Sequence, residues 1–183
     1  MIIETIVTTV NQQGEANFAP MGVTLGDGEM LIRPYKDSAT YRNLLATGAA
    51  VVNVTDNARL FAEGAISSPQ FPAFPADMVR GLVLKDACSY YECSVIEADA
   101  ASERANFRCR VVKKEILREF IGFNRAKNAI IEAAILATRV RFIGVEKILQ
   151  EYCRLSEIVK KTGGEEEIRA MQYLQDYVER QRP

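Results

Sequence analysis

Short segments with strand character fill the first 112 residues, and turn residues separate them. The first segment is rich in Ile, Val and Thr, and the pair Asp27–Gly28 makes a tight turn between the second and the third. Short strands at such spacing favour a closed or partly closed antiparallel barrel over a parallel sheet. The predicted strands cover residues 2–10, 17–25, 30–35, 50–54, 82–85, 88–98 and 105–112.

Helical signals interrupt these strands. Asp37 or Ser38 can cap a helix whose apolar residues recur at helical spacing, and Gly48 is well placed to end it. One or two further helical turns are predicted at residues 57–63, just before a glycine. Residues 67–77 contain three prolines, so an irregular loop is predicted there.

The chain changes character at about residue 115, where helical periodicity replaces alternation. Helices are predicted over residues 120–138, around residues 148–159 and from Glu165 onward, with two glycines separating the last pair. The predicted fold class is therefore α+β and mainly β. It consists of an antiparallel barrel domain at residues 1–115 and a C-terminal helical region at residues 116–183.

The charge balance argues against nucleic acid and acidic membranes as partners. The 23 basic and 24 acidic residues are spread along the chain and give a formal net charge of −1. No apolar run is long enough to span a membrane, and the first residues lack the pattern of a signal peptide. We therefore expect no nucleic-acid or membrane partner and a cytoplasmic location.

The residue types also limit the chemistry. The chain contains no histidine, which excludes Ser–His and Cys–His nucleophile pairs and histidine-ligated zinc. No metal ligand set or catalytic constellation is predicted, so chemistry would depend on carboxylates, hydroxyls, lysine, arginine or a borrowed cofactor. Structural, reduced thiols are expected at Cys88, Cys93, Cys109 and Cys153, which form no Cys-x-x-Cys pair.

Two neighbouring segments carry the strongest functional signal. In the second predicted strand, Pro20 and Gly22 interrupt an extended run, and a flat ring resting on the backbone would explain both residues. An edge strand with a bulge is the alternative. After the third strand, two cations and two hydroxyls surround a helix start, as a phosphate monoester requires, at Arg33, Lys36, Ser38 and Thr40.

A capped surface helix with solvated charges is the alternative for the second segment. Together, however, a ring platform and a phosphate cradle on neighbouring strands describe a mononucleotide site. The runs "TTVNQQGEANFAPMGVT" and "IRPYKDSATYRNLLATGAAVVNV" resemble the FMN-binding split β-barrel superfamily, particularly its flavin-reductase-like members. The run "GFNRAKNAIIEAAILATR" resembles a branch named only as a domain of unknown function, found in archaea and one-carbon-metabolising bacteria.

The resemblance implies three groups of FMN contacts. The flavin ring would lie mostly against backbone, at Ala19, Pro20, Met21, Gly22 and Val23, with Thr24 near a ring carbonyl or N5. The phosphate would be held by Arg33, Lys36, Ser38 and Thr40. Asn43 and Asn53 would tie the loop or touch the ribityl chain. Asp37 is assigned to helix capping, because a carboxylate fits poorly beside a dianion.

The resemblance further implies a homodimer with the flavin near the subunit seam, and a helical region that packs on the barrel or on the partner. Contacts supplied by the partner would come from the polar stripe of Arg125, Asn128 and Glu132, for which a solvated helix face is the alternative.

Three functions are consistent with such a site. The first is an FMN-dependent oxidoreductase that uses NADH or NADPH transiently, since no Rossmann fingerprint for a resident dinucleotide occurs. The second is a non-catalytic FMN-binding protein for storage, redox sensing or assistance to a partner. The third is a structural dimer with a vestigial pocket. The proline-containing loop at residues 67–77 is the candidate for shaping the open side of the flavin.

Overall fold

The computed structural model describes residues 1–182 of the 183-residue chain. The strands are β1 Ile2–Val10, β2 Ala16–Leu25, β3 Glu29–Ile32, β4 Ala49–Val54, β5 Ala73–Pro75, β6 Leu82–Leu84, β7 Ser89–Asp99 and β8 Asn106–Ile116. The helices are α1 Ala39–Thr47, α2 Ala58–Ile66, α3 Arg125–Thr138, α4 Val140–Ile143, α5 Val145–Thr162 and α6 Glu165–Glu179.

Six of the strands close into an antiparallel barrel in the order β1-β2-β3-β8-β7-β4. The predicted α+β fold, an antiparallel barrel followed by helices, is thereby confirmed. One predicted barrel strand is placed differently, because residues 82–85 form β6, which pairs with β5 in a separate two-stranded sheet. That pairing also corrects the prediction that residues 67–77 are wholly irregular. Pro75 is tolerated there because β5 is an edge strand.

The barrel interior is filled by alternate residues of its strands. Val7, Val23, Val52 and Phe107 all have 1% exposure or less and belong to one apolar cluster. Leu44 of α1 belongs to the same cluster, so the helix packs against the barrel core. Strand alternation explains this arrangement, since every second side chain points to the same face.

The helix boundaries shift from the predicted ones for local reasons. The helix predicted at residues 120–138 begins at Arg125, because the Asn124 side chain caps its first turn. The turns predicted at residues 57–63 form a nine-residue helix, α2, that continues through Gly64. A single glycine weakens a helix without having to end it.

The chain forms two compact units. One comprises Met1–Thr55 and Gln70–Phe120, and the other comprises Asp56–Pro69 and the chain from Ile121 onward. The second unit thus includes α2, which lies within residues 1–115 of the sequence. Its core is rich in small side chains that let helices approach closely, including Ala62, Ala126 and Ala133.

In the part of the chain that the structure describes, no helix combines the length and the apolar character needed to cross a membrane.

Candidate functional site

The start of α1 forms an anion-binding geometry. Ser38 caps the helix: its hydroxyl accepts from the amide of Tyr41 at 3.2 Å and donates to the carbonyl of Tyr35 at 2.7 Å. The amides of Ala39 and Thr40 precede the first intrahelical bond and therefore have no helical acceptor. Two backbone donors and the positive end of the helix dipole are available to an anion there.

Two cationic side chains flank this helix start. Arg33 and Lys36 are exposed, and within residues 1–182 neither side chain makes an ion pair or a hydrogen bond. The nearby Arg42 donates instead to the carbonyl of Asp37 at 2.7 Å, which ties the guanidinium to the loop. The positive charges of Arg33 and Lys36 are thus not neutralised by a carboxylate.

The outer side of β2, meaning the strand edge that faces away from β1, has no strand partner beside this loop. β1 pairs with residues 16–24 of β2 without a bulge, whereas β3 pairs only with Thr24 and Leu25. The amide of Leu25 donates toward β1, to Met1, and the amide of the next residue donates toward β3. Because N–H directions alternate along an antiparallel strand, the backbone nitrogen of Pro20 points away from β1. The missing N–H of Pro20 therefore costs no hydrogen bond of the β1–β2 ladder. The alternative of an edge strand with a bulge is met only in part: residues 16–23 of β2 pair with β1 alone, but β2 lies between β1 and β3 in the closed barrel and its ladder with β1 contains no bulge.

Gly22 belongs to the predicted ring site, and side chains of β1 also pack closely against it. A Cβ at this position would lie 2.8 Å from Ile2 Cγ2 and 3.4 Å from Glu4 Oε1. The close approach of the β1 side chains is therefore one reason for a glycine at this position, independent of any ligand.

Residues 19–24 are divided between the two faces of β2. Val23 has no exposed surface and Met21 packs against the barrel interior, while Pro20, Gly22 and Thr24 alternate on the outer face. Ala19 shares the inner face with Met21 and is half-buried. A ligand on this strand would meet backbone and the outer side chains.

Three of the predicted polar contacts are engaged within the protein. Thr40 accepts a hydrogen bond from Asn17 at 3.0 Å, and Asn43 donates to Thr9 at 3.1 Å. Asn53 has no exposed surface; its amide donates to the carbonyl of Ile6 at 3.0 Å. Its oxygen accepts from the amide of residue 84 at 2.9 Å. The structure thus gathers Arg33, Lys36 and Ser38 at one loop. By contrast, Thr40 and Asn43 tie α1 to the barrel, and Asn53 joins β4 to β1.

The proline-containing segment packs on the barrel. Phe71 meets Phe18 of β2 edge-on, with ring centres 5.6 Å apart, and Phe74 meets Tyr90 in the same way at 6.4 Å. Phe18 shares the outer face of β2 with Pro20, so this segment lies beside the candidate ring platform. The two phenyl rings themselves contribute to packing.

The remaining candidate groups show no reactive constellation. Arg125, Asn128 and Glu132 are exposed on α3, as either a partner contact or a solvated face requires. Burial raises the pKa of both Cys93 and Cys109 to about 12, so these thiols stay protonated at neutral pH. Residues 1–182 contain no group of three or more acidic or thiol side chains able to hold a metal ion.

Two features of the barrel unit were not predicted from the sequence. Glu92 is a fully buried carboxylate that accepts three backbone amides, and Arg104 stacks on Tyr35 with 4.2 Å between guanidinium carbon and ring centre. Both depend on contacts between distant parts of the chain, so no local pattern marks them.

Solved structures with a similar fold include several flavoproteins. An FMN-bound protein from Methanosarcina mazei has 24% identity and a TM-score of 0.83, covering 96% of this chain and 94% of that one. The 2-nitrobenzoate 2-nitroreductase of Pseudomonas fluorescens has 20% identity and a TM-score of 0.56, covering 62% and 64%. An FMN-binding protein from Thermus thermophilus, solved with 1-cyclohex-2-enone, has 17% identity and a TM-score of 0.57, covering 62% and 70%.

A comparison with curated proteins gives no significant match. Two family models match consecutive parts of the chain. Residues 3–118 match the N-terminal domain of a protein of unknown function, DUF447, and residues 124–176 match the second DUF447 domain. The Methanosarcina mazei protein carries the same family designation. The chain therefore belongs to the DUF447 family.

Proposed function

We propose that the barrel unit binds FMN, with the phosphate at the start of α1 and the flavin ring against the outer side of β2. The observation that carries this proposal is the juxtaposition of two unpaired cations, Arg33 and Lys36, with a Ser38-capped helix start. Beside them β2 has β1 as its partner at Pro20 but is not paired with β3 there, which leaves that side of the strand for a planar ring. The FMN-bound protein of similar fold supports the same cofactor.

The donor set fits a phosphate monoester. Arg33 and Lys36 supply charge, and Ser38 together with the first amides of α1 supplies hydrogen-bond donors. Thr40, Asn43 and Asn53 hold these elements in place through their own hydrogen bonds. When bound, FMN supplies hydride and electron transfer, chemistry for which the protein needs no catalytic triad.

The proposed activity is that of an oxidoreductase between FMN and a nicotinamide or other small substrate. The similar structures include a 2-nitrobenzoate nitroreductase and an NADH:FAD oxidoreductase, which supports a redox role. The role of this chain would be to fix the flavin and leave one side accessible. A non-catalytic FMN-binding protein is the second candidate, because the chain contains no histidine and therefore no Ser–His or Cys–His pair.

We also propose that the protein is a homodimer with the flavin near the subunit seam. Large apolar side chains are exposed on the barrel unit, among them Ile2 at 56% and Ile116 at 71% exposure, and such surfaces favour association. Arg125, Asn128 and Glu132 remain candidates for contacts to the partner's flavin. Analytical ultracentrifugation at several protein concentrations tests the dimer, and a monomer at all concentrations would contradict it.

FMN binding is tested by the absorption spectrum of the purified protein between 300 and 500 nm and by titration of apoprotein with FMN. Arg33→Ala and Lys36→Ala should each weaken FMN binding by about 1 to 3 kcal/mol, because each removes a charge-assisted hydrogen bond. Ser38→Ala should also weaken it. Arg110→Ala is the matched control, since Arg110 is an exposed arginine on β8 of the same unit.

The outcomes separate the candidate functions. If the purified protein is colourless and does not bind added FMN, the cofactor proposal is contradicted and a vestigial pocket is favoured. Bound FMN with unchanged affinity in the Arg33 and Lys36 variants contradicts the phosphate site. Addition of NADH or NADPH without oxygen then tests the redox role. Rapid bleaching of the flavin supports an oxidoreductase, whereas a stable yellow protein supports the non-catalytic candidate.

A further inference from the structure

Arg104 lies beside the proposed phosphate site although 69 residues separate it from Tyr35. Backbone contacts fix this position between the loop after β3 and the β7–β8 hairpin. Tyr35 and Arg104 form an isolated antiparallel bridge. The amide of Ala105 donates to the carbonyl of Pro34 at 3.1 Å, and the amide of Lys36 donates to the residue 103 carbonyl at 3.4 Å. The hairpin tip is thus attached to the segment that carries the cations.

The guanidinium of Arg104 is connected to the helix cap by direct contacts. It stacks 4.2 Å from the ring centre of Tyr35, and its Nη2 donates to the Tyr35 hydroxyl at 2.6 Å. The carbonyl of Tyr35 accepts from both the amide and the hydroxyl of Ser38, at 3.1 and 2.7 Å. One residue therefore contacts both the guanidinium and the N-cap of α1.

The charge of Arg104 is not neutralised by a carboxylate within residues 1–182. By contrast, Arg108 on the adjoining strand β8 has carboxylate partners. Arg108 forms ion pairs with Glu97 at 2.6 Å and Glu29 at 3.3 Å, so its charge serves to join neighbouring strands. Stacking on Tyr35 holds Arg104 in place and leaves further N–H donors of its fork for an anion.

We propose that Arg104 is a third cation of the phosphate site, supplied by the β7–β8 hairpin, and that Tyr35 is its positioning residue. This inference rests on the proposed binding of FMN. A phosphate monoester carries about 1.5 to 2 negative charges at neutral pH, more than one cation neutralises. Arg33, Lys36 and Arg104 supply positive charge from two elements, which favours the phosphorylated flavin over riboflavin.

The test compares FMN with riboflavin, which lacks the phosphate, by fluorescence titration of the wild type and its variants. Arg104→Ala should weaken FMN binding by about tenfold or more and change riboflavin binding by less than about twofold. Arg104→Lys should restore part of the FMN affinity, because it keeps the charge but loses the fork. Tyr35→Phe should cause a smaller, FMN-selective loss, since it keeps the ring and removes only the hydroxyl acceptor.

Arg110→Ala serves again as the matched control and should leave the FMN-to-riboflavin affinity ratio unchanged. An unchanged FMN affinity in Arg104→Ala would overturn this inference while leaving the proposal of FMN binding intact. Equal losses for both flavins would also overturn it, because they would show that Arg104 only ties the loop. Failure of the wild type to bind FMN would overturn the inference and the proposed function together.

Discussion

Glu92 shows how one residue can organise a loop in the barrel unit. Its side chain has no exposed surface, yet it carries a carboxylate on β7. The two oxygens accept the amides of Asp77 at 3.1 Å, Met78 at 2.6 Å and Val79 at 3.0 Å. A buried carboxylate is tolerated when several donors satisfy it, and here consecutive backbone N–H groups provide them.

Glu92→Ala should lower the free energy of unfolding by about 3 kcal/mol, because three backbone amides would lose their acceptor. Glu92→Gln keeps one oxygen acceptor and should cost less. The measurement is chemical denaturation followed by circular dichroism. Glu97→Ala is the control on the same strand, because Glu97 makes an exposed ion pair with Arg108, and its loss should change stability by less than about 1 kcal/mol. Similar effects of the Glu92 and Glu97 variants would contradict this role.

The four cysteines should differ sharply in reactivity. Cys88, Cys93 and Cys109 are buried, while Cys153 is exposed on α5. A thiol-specific chromogenic reagent near pH 8 should therefore modify one thiol rapidly in the native protein and all four after unfolding. Cys153→Ser should abolish the rapid phase. A rapid phase of two or more thiols would show that the barrel opens more readily than its packing indicates.

Burial of the two barrel thiols also has a consequence at high pH. The pKa of Cys93 and of Cys109 is raised from 9.0 to about 12 in the folded protein, and burial is the largest cause. The contribution of the two neutral thiols to the free energy of unfolding is therefore fully present below about pH 9. It is lost as the pH rises towards 12. Denaturation midpoints measured between pH 8 and 11 should fall along this range, and a Cys93→Ala, Cys109→Ala double variant should show a weaker fall.

At the scale of elements, the start of α3 is tied to the end of α5. Asn124 caps α3 by accepting the amides of Ala126 and Lys127, and its own amide donates to the Thr162 carbonyl at 3.0 Å. The two helices meet closely, because a Cβ on Gly163 would lie 3.1 Å from that of Ala126. One side chain therefore satisfies backbone groups at two helix ends.

Asn124→Ala should lower the free energy of unfolding by about 1 to 2 kcal/mol, because the cap and the link to α5 are both lost. Asn124→Asp should keep the cap, since aspartate is also a good N-cap, but it replaces the donor to the Thr162 carbonyl by an acceptor oxygen and so loses that link. Asn128→Ala, at an exposed position of the same helix, is the control and should change stability by less than about 0.5 kcal/mol. Thermal and chemical denaturation of the three variants check these values.

For the whole molecule, cofactor binding and stability are linked. FMN at about 100 times its dissociation constant should raise the free energy of unfolding by about 2.7 kcal/mol, because it binds only the folded barrel. Calorimetry is the suitable measurement, since two compact units permit more than one transition. Riboflavin at the same concentration should stabilise the protein less. No shift with FMN would contradict binding.

The sequence predicted the parts of the fold that depend on local pattern. The strands β1 and β2 agree with their alternating runs, and Ser38 and Gly48 bound α1 as their capping preferences indicate. The strand β5 was missed because Pro75 and a length of three residues remove the pattern, and only pairing with β6 makes it a strand. Local preference is weak where a segment gains its hydrogen bonds from a distant partner.

The sequence by itself determined the antiparallel barrel, the helical region and the concentration of cations and hydroxyls at the start of α1, because alternation, helical spacing and capping are properties of neighbouring residues. Only the tertiary structure decided that Asn53 is buried between strands, that Glu92 holds a loop and that Arg104 joins Tyr35. These contacts join residues 14 to 69 positions apart. Their formation requires the closed barrel, which brings distant segments together. The barrel forms because the burial of apolar surface offsets the entropic cost of closing the loops between those segments.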